Sequence, residues 1–319
     1  MNLSKYAFLI SCCVGVAHPL WAIDQRSTTA ASTTQPNDRR AHALSARIAH
    51  ISEQFLGKPY LLGALGEGPT GTFDQAPLFR TDAFDCETFV DTVLALALTN
   101  NPEKEPQLIN QIRYQNAHIS FLFRNHFTCL DWNKNNQRQG FLKDITPTFQ
   151  DTSHHPVAQL ATAVIDKPSW YQHLPLSTIR VTKLNENERA IRLQTLKQAG
   201  AALAVRTSDI SYLPLTALIN KQGEANQALF NQIPQGAIIE IIRPNWDLQD
   251  AIGTHLNVSH MGFAIWKNHT LFFREASSIA HQVVDIPLIN YLQDARKSPT
   301  IKGINIQIAE PVKSYNKYQ

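Results

Sequence analysis

Three residues have side chains that can take part in acyl transfer: a thiol, an imidazole and a carboxylate. The thiol and the imidazole stand at the starts of predicted elements, and the carboxylate falls on the next predicted strand. Cys86 follows Asp85 at the beginning of a predicted amphipathic helix. Unpaired N–H groups and the helix dipole favour the thiolate there, and the thiolate is the nucleophilic form of cysteine. Cysteine is also a common small buried residue, so position alone leaves both interpretations open.

A candidate base lies far along the chain from this thiol. His260 stands at the start of the β-like run S-H-M-G-F-A-I, and a rigid strand holds a base in position. The chain has 12 histidines, and a structural histidine is the ordinary alternative. Glu275 falls on the next predicted strand, where its carboxylate could orient the His260 ring. The alternative for Glu275 is a surface carboxylate paired with Arg274.

A polar and aromatic stretch, R-N-H-F-T-C-L-D-W at residues 124–132, predicts the wall of a binding cleft. Arg124, His126 and Asp131 are its candidate ligand-binding residues. The alternative is a strand with one solvated face. Cys129 lies in this stretch without a helix start beside it, so it is interpreted as a bystander thiol.

Residues 1–22 have the pattern of a secretory signal, with Lys5 followed by an apolar run. We expect an exported protein, periplasmic or secreted, with a flexible leader over 23–39. A buried first helix, or a lipoprotein anchored at Cys12, are the alternatives. Export favours a disulfide between the remaining cysteines, Cys86 and Cys129. A nucleophilic Cys86 instead requires that this bridge be absent.

Composition excludes several classes of protein. The 319 residues are 43% hydrophobic and 17% charged, with 13 glycines and 17 prolines, so disorder, coiled coil and collagen do not fit. A net charge of +3 without a basic run argues against a nucleic-acid partner. Past the signal, no apolar run is long enough for a membrane span. Neither a metal-ligand motif nor a nucleotide-binding motif is present, so no metal and no cofactor are expected.

The apolar patterns predict an α+β fold in a single domain over 40–319. Helices are predicted from about Arg40 to Gly57 and over 85–98, with Asp82 or Asp85 as cap. A helical hairpin or insertion is predicted over roughly 155–205, and its second half includes a helix at 186–203. Strands are predicted within 107–135, over 237–242 until Pro244, at 260–266 and 270–274 around a turn at 267–269, and at 304–308.

Three segments together resemble the NlpC-type cysteine peptidase superfamily, which acts on cell-wall peptides. They are G-K-P-Y-L-L-G at 57–63, F-D-C-E-T-F-V at 84–90 and S-H-M-G at 259–262. A narrower resemblance, to the N-acetylmuramoyl-L-alanine amidase-like branch, rests on residues 85–90, 124–132, 140–146, 233–236, 257–262 and 275–278. It spans about residues 40–310.

This resemblance implies a papain-like α+β fold, in which a helix-start cysteine packs on an antiparallel sheet with helical insertions. It implies that Cys86 is the nucleophile and His260 the base, with Tyr60, Asp85 and Asn257 beside the substrate. Many members carry histidine where this chain has Glu275, and Asn257 is a second candidate for the third catalytic residue. The implied partner is peptidoglycan or a muropeptide, bound by a monomer.

The leading hypothesis is therefore an exported cysteine hydrolase that cleaves an amide of peptidoglycan. The bond is either MurNAc–L-Ala or one within the stem peptide. Two alternatives remain from the sequence. One is a non-catalytic cell-wall binding module on the same fold, suggested by the Glu275 departure. The other is an acyltransferase or esterase that uses the same Cys–His pair.

Overall fold

A computed structural model describes residues 36–311 of the chain. The predicted signal at 1–22, Cys12 and most of the predicted leader lie outside these residues. Across the described part, no helix has both the length and the apolar character that crossing a bilayer would need.

Residues 36–311 contain ten α-helices and eight strands. The helices are α1 Pro36–Glu53, α2 Cys86–Leu98, α3 Glu105–Arg113, α4 Asn133–Arg138, α5 Lys167–Gln172, α6 Glu186–Ala201, α7 Leu215–Leu218, α8 Gln227–Phe230, α9 Gln249–Ile252 and α10 Leu288–Ala295. The strands are β1 Leu142–Asp144, β2 Gln159–Asp166, β3 Val205–Pro214, β4 Ile238–Leu248, β5 Thr254–Lys267, β6 Thr270–Ser277, β7 Gln282–Pro287 and β8 Gly303–Ala309.

The strands form one sheet in the order β2-β3-β8-β4-β5-β6-β7, and β1 pairs with β8 outside this path. Every pairing between them is antiparallel. The two long central strands, β4 and β5, pair from Ile238 with Phe263 to Leu248 with Thr254. This confirms the mixed α+β class with an antiparallel sheet.

The sheet buries apolar side chains against two sets of helices. One core joins α1 and α2 to the sheet, with the Phe89 ring of α2 5.6 Å from that of Phe263 on β5. The other joins α7, α8 and α10 to side chains that include Ile239 and Phe273. The predicted apolar stripe of α2, which includes Phe89, Val90 and Val93, is fully buried, so its helix prediction is confirmed.

A buried polar cluster around Asp91 fixes α2. Trp132 Nε1–H donates to Asp91 Oδ1 at 2.7 Å, and Arg113 Nη1–H donates to Asp91 Oδ2 at 3.0 Å. Burial raises the pKa of Asp91 to about 6, against the charge of Arg113. An unpaired carboxylate here would be costly, so both donors are needed to hold the helix in place.

The strands predicted within 107–135 are wrong. This region forms α3, several 3₁₀ turns, a π-helical turn over Thr128–Trp132 and α4. Phe121 is buried, whereas Ile119 and Phe123 are exposed. Their alternation therefore arises from a 3₁₀ turn that directs one ring inward, and it resembles the pleat of a strand only in sequence.

The predicted helical hairpin over 155–205 is half right. Its first part is the strand β2, which pairs along its whole length with β3, from Gln159 with Tyr212 to Asp166 with Val205. The helical parts are α5, a 3₁₀ turn over Leu176–Thr178 and α6, and they lie between those two strands in the chain. The outward residues Leu160 and Val164 of β2 are apolar and exposed, which hides the alternation expected of a half-buried strand.

Two strand boundaries differ from the prediction around the candidate base. The strand β4 continues through Pro244. The β4–β8 pairing ends at Ile242, and the β4–β5 register shifts between Ile242 and Trp246. Proline has no N–H to donate, and at this position the sheet does not need one. The strand β5 begins at Thr254, which places His260 inside the strand, not at its start. The hairpin turn is confirmed, with Asn268 and His269 at φ of 47° and 64°.

A buried carboxyl in the sheet couples stability to pH. Glu240 on β4 accepts from Asn133 Nδ2 at 3.0 Å and Gln307 Nε2 at 2.9 Å, and burial raises its pKa to about 8. In the unfolded chain this carboxyl titrates near its ordinary pKa of 4.5. Folding therefore favours the protonated form, and stability from this group falls as pH rises from about 4.5 to 8.

We expect Glu240→Gln to raise the free energy of unfolding by about 2–4 kcal/mol at pH 8.5 and to change it little at pH 4.5. Asn133 Oδ1 has no hydrogen-bond partner. If the Asn133 amide flips, this oxygen can accept from the introduced glutamine amide, and no existing hydrogen bond to Oδ1 is lost. Denaturant unfolding at both pH values measures this. Equal effects at the two pH values would contradict the linkage.

Candidate active site

Cys86 is the first residue of α2, as predicted, and Asp85 is the cap. Asp85 Oδ1 accepts from Thr88 N–H at 2.8 Å, and the Thr88 hydroxyl accepts from Asp85 N–H at 2.9 Å. This reciprocal capping box fixes the first helical turn. The backbone N–H groups of Cys86 and Glu87 precede the first intrahelical bond, so they can face a ligand.

The imidazole of His260 is held by the carboxylate of Glu275. Nε2–H of His260 donates to Oε2 of Glu275, whose side chain is only 4% exposed. Nδ1 is therefore the ring nitrogen that remains available to Cys86, whose thiol also raises the pKa of His260. The structure thus brings the predicted thiol, imidazole and carboxylate together.

The charge of His260 follows from these contacts. Burial by itself lowers the pKa of His260, but the hydrogen bonds to Cys86 and Glu275 outweigh it and raise the pKa to about 10. The imidazolium is therefore the form present at neutral pH. A positive ring beside the thiol favours a thiolate–imidazolium pair, the reactive state of a cysteine nucleophile.

Two aromatic rings pack around His260, and neither was predicted from the sequence. Phe273 meets the imidazole edge-on at 5.7 Å between ring centroids, and Tyr291 lies nearly parallel to it at 6.4 Å. Burial raises the pKa of Tyr291, and the charge of Glu275 adds to this effect. A usable signal was present, because Tyr291 follows the buried Leu288 by three residues on the amphipathic helix α10.

Tyr60 lies near the thiol, where the resemblance places it. Burial raises the pKa of Tyr60 to about 12, and the charges of Cys86 and Asp85 act in the same direction. Its backbone bridges to Phe84, and Leu61 N–H donates to Phe84 O at 2.8 Å. The Tyr60 hydroxyl therefore stays protonated and can donate a hydrogen bond near the nucleophile.

A loop over residues 61–76, here called the cleft loop, is tied to the start of α2. Gly63 N–H donates to Asp85 Oδ2 at 2.8 Å. Glu67 Oε2 accepts from the N–H groups of Phe73 and Asp74, at 2.8 and 2.7 Å. These bonds position the loop relative to Cys86.

Two arginines hold the cleft loop from outside. Arg124 Nη2 pairs with Asp74 Oδ2 at 3.0 Å, and Arg180 pairs with the same oxygen. Arg180 also donates to the carbonyl oxygens of Gly63 and Leu65. Arg124 is predicted to bind substrate, and its guanidinium pairs with buried Asp74. Arg180 belongs to the connection between α5 and α6, so the helical insertion between β2 and β3 helps to position the cleft loop.

We expect Arg180→Ala to lower kcat/KM about tenfold, because a displaced cleft loop misplaces the groups beside Cys86. Arg180→Lys should recover part of this, since an ammonium can still pair with Asp74. Lys197→Ala is the matched control, because Lys197 comes from the same insertion but donates within it, to Gln172 O at 2.7 Å. Equal losses in the Arg180 and Lys197 alanine variants would contradict the assignment.

The remaining predicted site residues make their contacts elsewhere. Nε2 of His126 lies 2.7 Å from Phe121 O, and burial lowers the pKa of His126 well below its usual value, so the ring is neutral. Asp131 pairs with Lys167 at 2.6 Å. Asn257 Nδ2 donates to Ser208 O at 2.9 Å. Of the two candidates for third catalytic residue, Glu275 is the one that contacts His260.

Both thiols in the described residues are free. Cys86 is half-buried, whereas Cys129 is buried, with its Sγ 2.8 Å from Ser208 Oγ. Burial raises the pKa of Cys129 to about 11, so this thiol stays protonated. Residues 36–311 contain no cluster of three or more His, Cys, Asp or Glu side chains arranged for a metal ion.

Comparison with solved structures finds the same fold in several proteins. A Legionella pneumophila protein of the family DUF1460 is 51% identical, with 85% of this chain and 90% of that chain covered and a TM-score of 0.83. An N-acetylmuramoyl-L-alanine amidase from Bacteroides uniformis is 23% identical, with 84% and 99% covered and a TM-score of 0.59. A Bacteroides fragilis protein described as a candidate xylanase is 24% identical, with 82% and 99% covered and a TM-score of 0.57.

A comparison with curated proteins gave no match. The model of the AmiA-like family, described as N-acetylmuramoyl-L-alanine amidase-like, matches residues 50–301. This match includes Tyr60, Cys86, His260 and Glu275 and covers well over half of the chain. The chain therefore belongs to the AmiA-like, N-acetylmuramoyl-L-alanine amidase-like family.

Proposed function

We propose that this protein is a cysteine-dependent amidase that hydrolyses the MurNAc–L-Ala bond of peptidoglycan or muropeptides. The observation that carries the proposal is the placement of His260, which is hydrogen-bonded to Glu275, beside Cys86 at the start of α2. The family description supplies the substrate class and the bond. A papain-like fold of the NlpC-type superfamily is part of the same proposal.

The geometry accounts for each step of such a hydrolysis. The Cys86 thiolate attacks the amide carbonyl carbon, and the N–H groups that open α2 donate to the developing oxyanion. The His260 imidazolium gives its proton to the leaving amine as the C–N bond breaks, which leaves a thioester on Cys86. The neutral imidazole then takes a proton from water, which attacks the thioester and restores the thiol pair.

Glu275 supports catalysis over a binding-only role. A carboxylate accepting from Nε2–H keeps the other nitrogen, Nδ1, directed to Cys86 and stabilises the imidazolium. Glutamate can therefore serve where many related sequences carry histidine. A binding module would not need a buried charge pair next to a half-buried thiol, since such a pair costs desolvation.

The experiment is product mapping by mass spectrometry after incubation with defined muropeptides. Cleavage at MurNAc–L-Ala releases an intact stem peptide and a disaccharide with a free lactyl carboxylate. Cleavage within the stem yields shorter peptides instead and would correct the bond assignment. Protein alkylated with iodoacetamide is the matched control. No cleavage of any amide by the untreated protein would overturn the proposal.

Export is the second component of the proposed function, because peptidoglycan lies outside the cytoplasm. It rests on the signal pattern of residues 1–22. Fractionation of producing cells, followed by N-terminal sequencing of the exported form, tests it. Retention of the full-length chain in the cytoplasm would contradict this component.

A further inference from the structure

A polar cavity of about 350 Å³ lies where the segment that leads into α4 meets the ends of the insertion. We call it the basic cavity. It is lined by side chains from 115–138, from Lys167 and from 203–206. Neither Cys86, His260 nor Glu275 is among its lining residues, so it is a feature separate from the candidate active site.

Four cations line the basic cavity against one carboxylate. The cations are Lys134, Arg138, Lys167 and Arg206, and the carboxylate is Asp131. Asp131 pairs with Lys167 at 2.6 Å. The lining thus carries three positive charges in excess, in a chain whose formal net charge is only +3.

The excess charge is not balanced by neighbouring side chains. Arg138 Nη2 donates to Asn135 Oδ1 at 3.1 Å, which is a neutral partner. Within residues 36–311, Lys134 and Arg206 form neither an ion pair nor a side-chain hydrogen bond. Both side chains are exposed, so each is free to approach a ligand in the cavity.

Like charges gathered around one concave space raise the positive potential there and attract an anion. The cavity volume is within the range that accommodates small molecules or a few residues of a peptide. Arginine and lysine are the usual donors to carboxylates, since their N–H groups make charge-assisted hydrogen bonds.

We propose that the basic cavity binds a carboxylate of a peptidoglycan stem peptide, away from the bond that is cleaved. This assignment rests on the proposed function. Stem peptides end in a carboxylate, and the cavity would select acidic stems from amidated ones. The helical segment between β2 and β3 then contributes twice to the enzyme, through Arg180 at the cleft loop and through Lys167 at the basic cavity.

The test compares Lys134→Gln/Arg206→Gln with Lys143→Gln/Lys221→Gln, all in a Cys86→Ala background that prevents turnover. Lys143 and Lys221 are exposed lysines outside the cavity. The probes are a disaccharide tetrapeptide with free carboxylates and the same compound with its carboxylates amidated. We expect calorimetry to show roughly tenfold weaker binding of the acidic probe to Lys134→Gln/Arg206→Gln than to the protein with both cations. Added salt should also weaken binding of the acidic probe, because it screens the charges of the cavity.

Unchanged binding of the acidic probe, or equal losses for both probes, would overturn the carboxylate site. Cleavage of both probes by the wild-type protein separates this result from the proposed function, which would then stand. If the wild-type protein neither cleaves nor binds any muropeptide, the proposed function and the stem-peptide assignment both fail. A citrate titration then tests whether the cavity binds anions at all. If Lys134→Gln/Arg206→Gln loses citrate binding and Lys143→Gln/Lys221→Gln does not, the cavity is an anion site for another ligand.

Discussion

A Cys86→Ala variant is expected to lose at least about three orders of magnitude in kcat/KM on muropeptides, because the attacking atom is gone and water alone must react. The fold should be retained, since Cys86 is half-buried and the helix cap is made by Asp85 and Thr88. Thermal unfolding should therefore show a transition within a few degrees of the wild-type value.

Cys129→Ser is the matched control for this loss. The Cys129 thiol is buried beside Ser208, and a serine hydroxyl can keep that hydrogen bond. We expect its activity to stay within a few-fold of wild type. Labelling with iodoacetamide should modify Cys86 and spare Cys129. Substantial residual activity in Cys86→Ala, or a comparable loss in Cys129→Ser, would exclude Cys86 as the nucleophile.

The part of the site that the sequence predicts is the part that local interactions determine. The capping box of Asp85 and Thr88 and the apolar stripe of α2 are contained within about 13 residues, so Cys86 could be placed at a helix start directly. The turn at Asn268 and His269 is local in the same way. Propensity and periodicity act over such distances.

The pairing of Cys86 with His260 is not local, since 174 positions separate them. Residue type and a predicted strand made His260 a candidate base, and the resemblance of three short segments to a family assigned it to Cys86. Tyr291 and Arg180 had no such segment. Tyr291 reaches His260 only after α10 packs on the sheet, and Arg180 reaches Asp74 only after the insertion docks. These contacts depend on tertiary packing that periodicity does not encode.

The errors in the predicted elements have a common physical origin. Apolar residues lie on the exposed face of β2, and Phe121 is directed inward by a 3₁₀ turn. In both cases the spacing of apolar residues follows the packing of individual side chains. It does not follow the repeat of the helix or strand that the backbone forms. The site itself was less affected, because the carboxylate, imidazole and thiol all lie on elements whose type was correctly predicted.

Replacing Glu275 by glutamine is expected to move the alkaline limit of activity to lower pH. The carboxylate beside His260 helps to raise the pKa of that imidazole to about 10. A neighbouring negative charge favours the imidazolium, so its removal lowers the His260 pKa, by about 1–3 units. The imidazolium that protonates the leaving amine is then lost at a lower pH.

The Glu275→Gln defect should therefore grow with pH, from small at pH 6 to roughly two- to a hundredfold at pH 9. Glu275→Asp is the matched variant, because it keeps the negative charge while withdrawing the carboxylate by one methylene. We expect the activity of Glu275→Asp to extend to higher pH than that of Glu275→Gln, even where its rate is below that of the wild-type protein. Profiles of kcat/KM from pH 5 to 10.5 measure both. If the glutamine variant loses activity by the same factor at every pH, Glu275 only fills space beside His260 and does not set its charge.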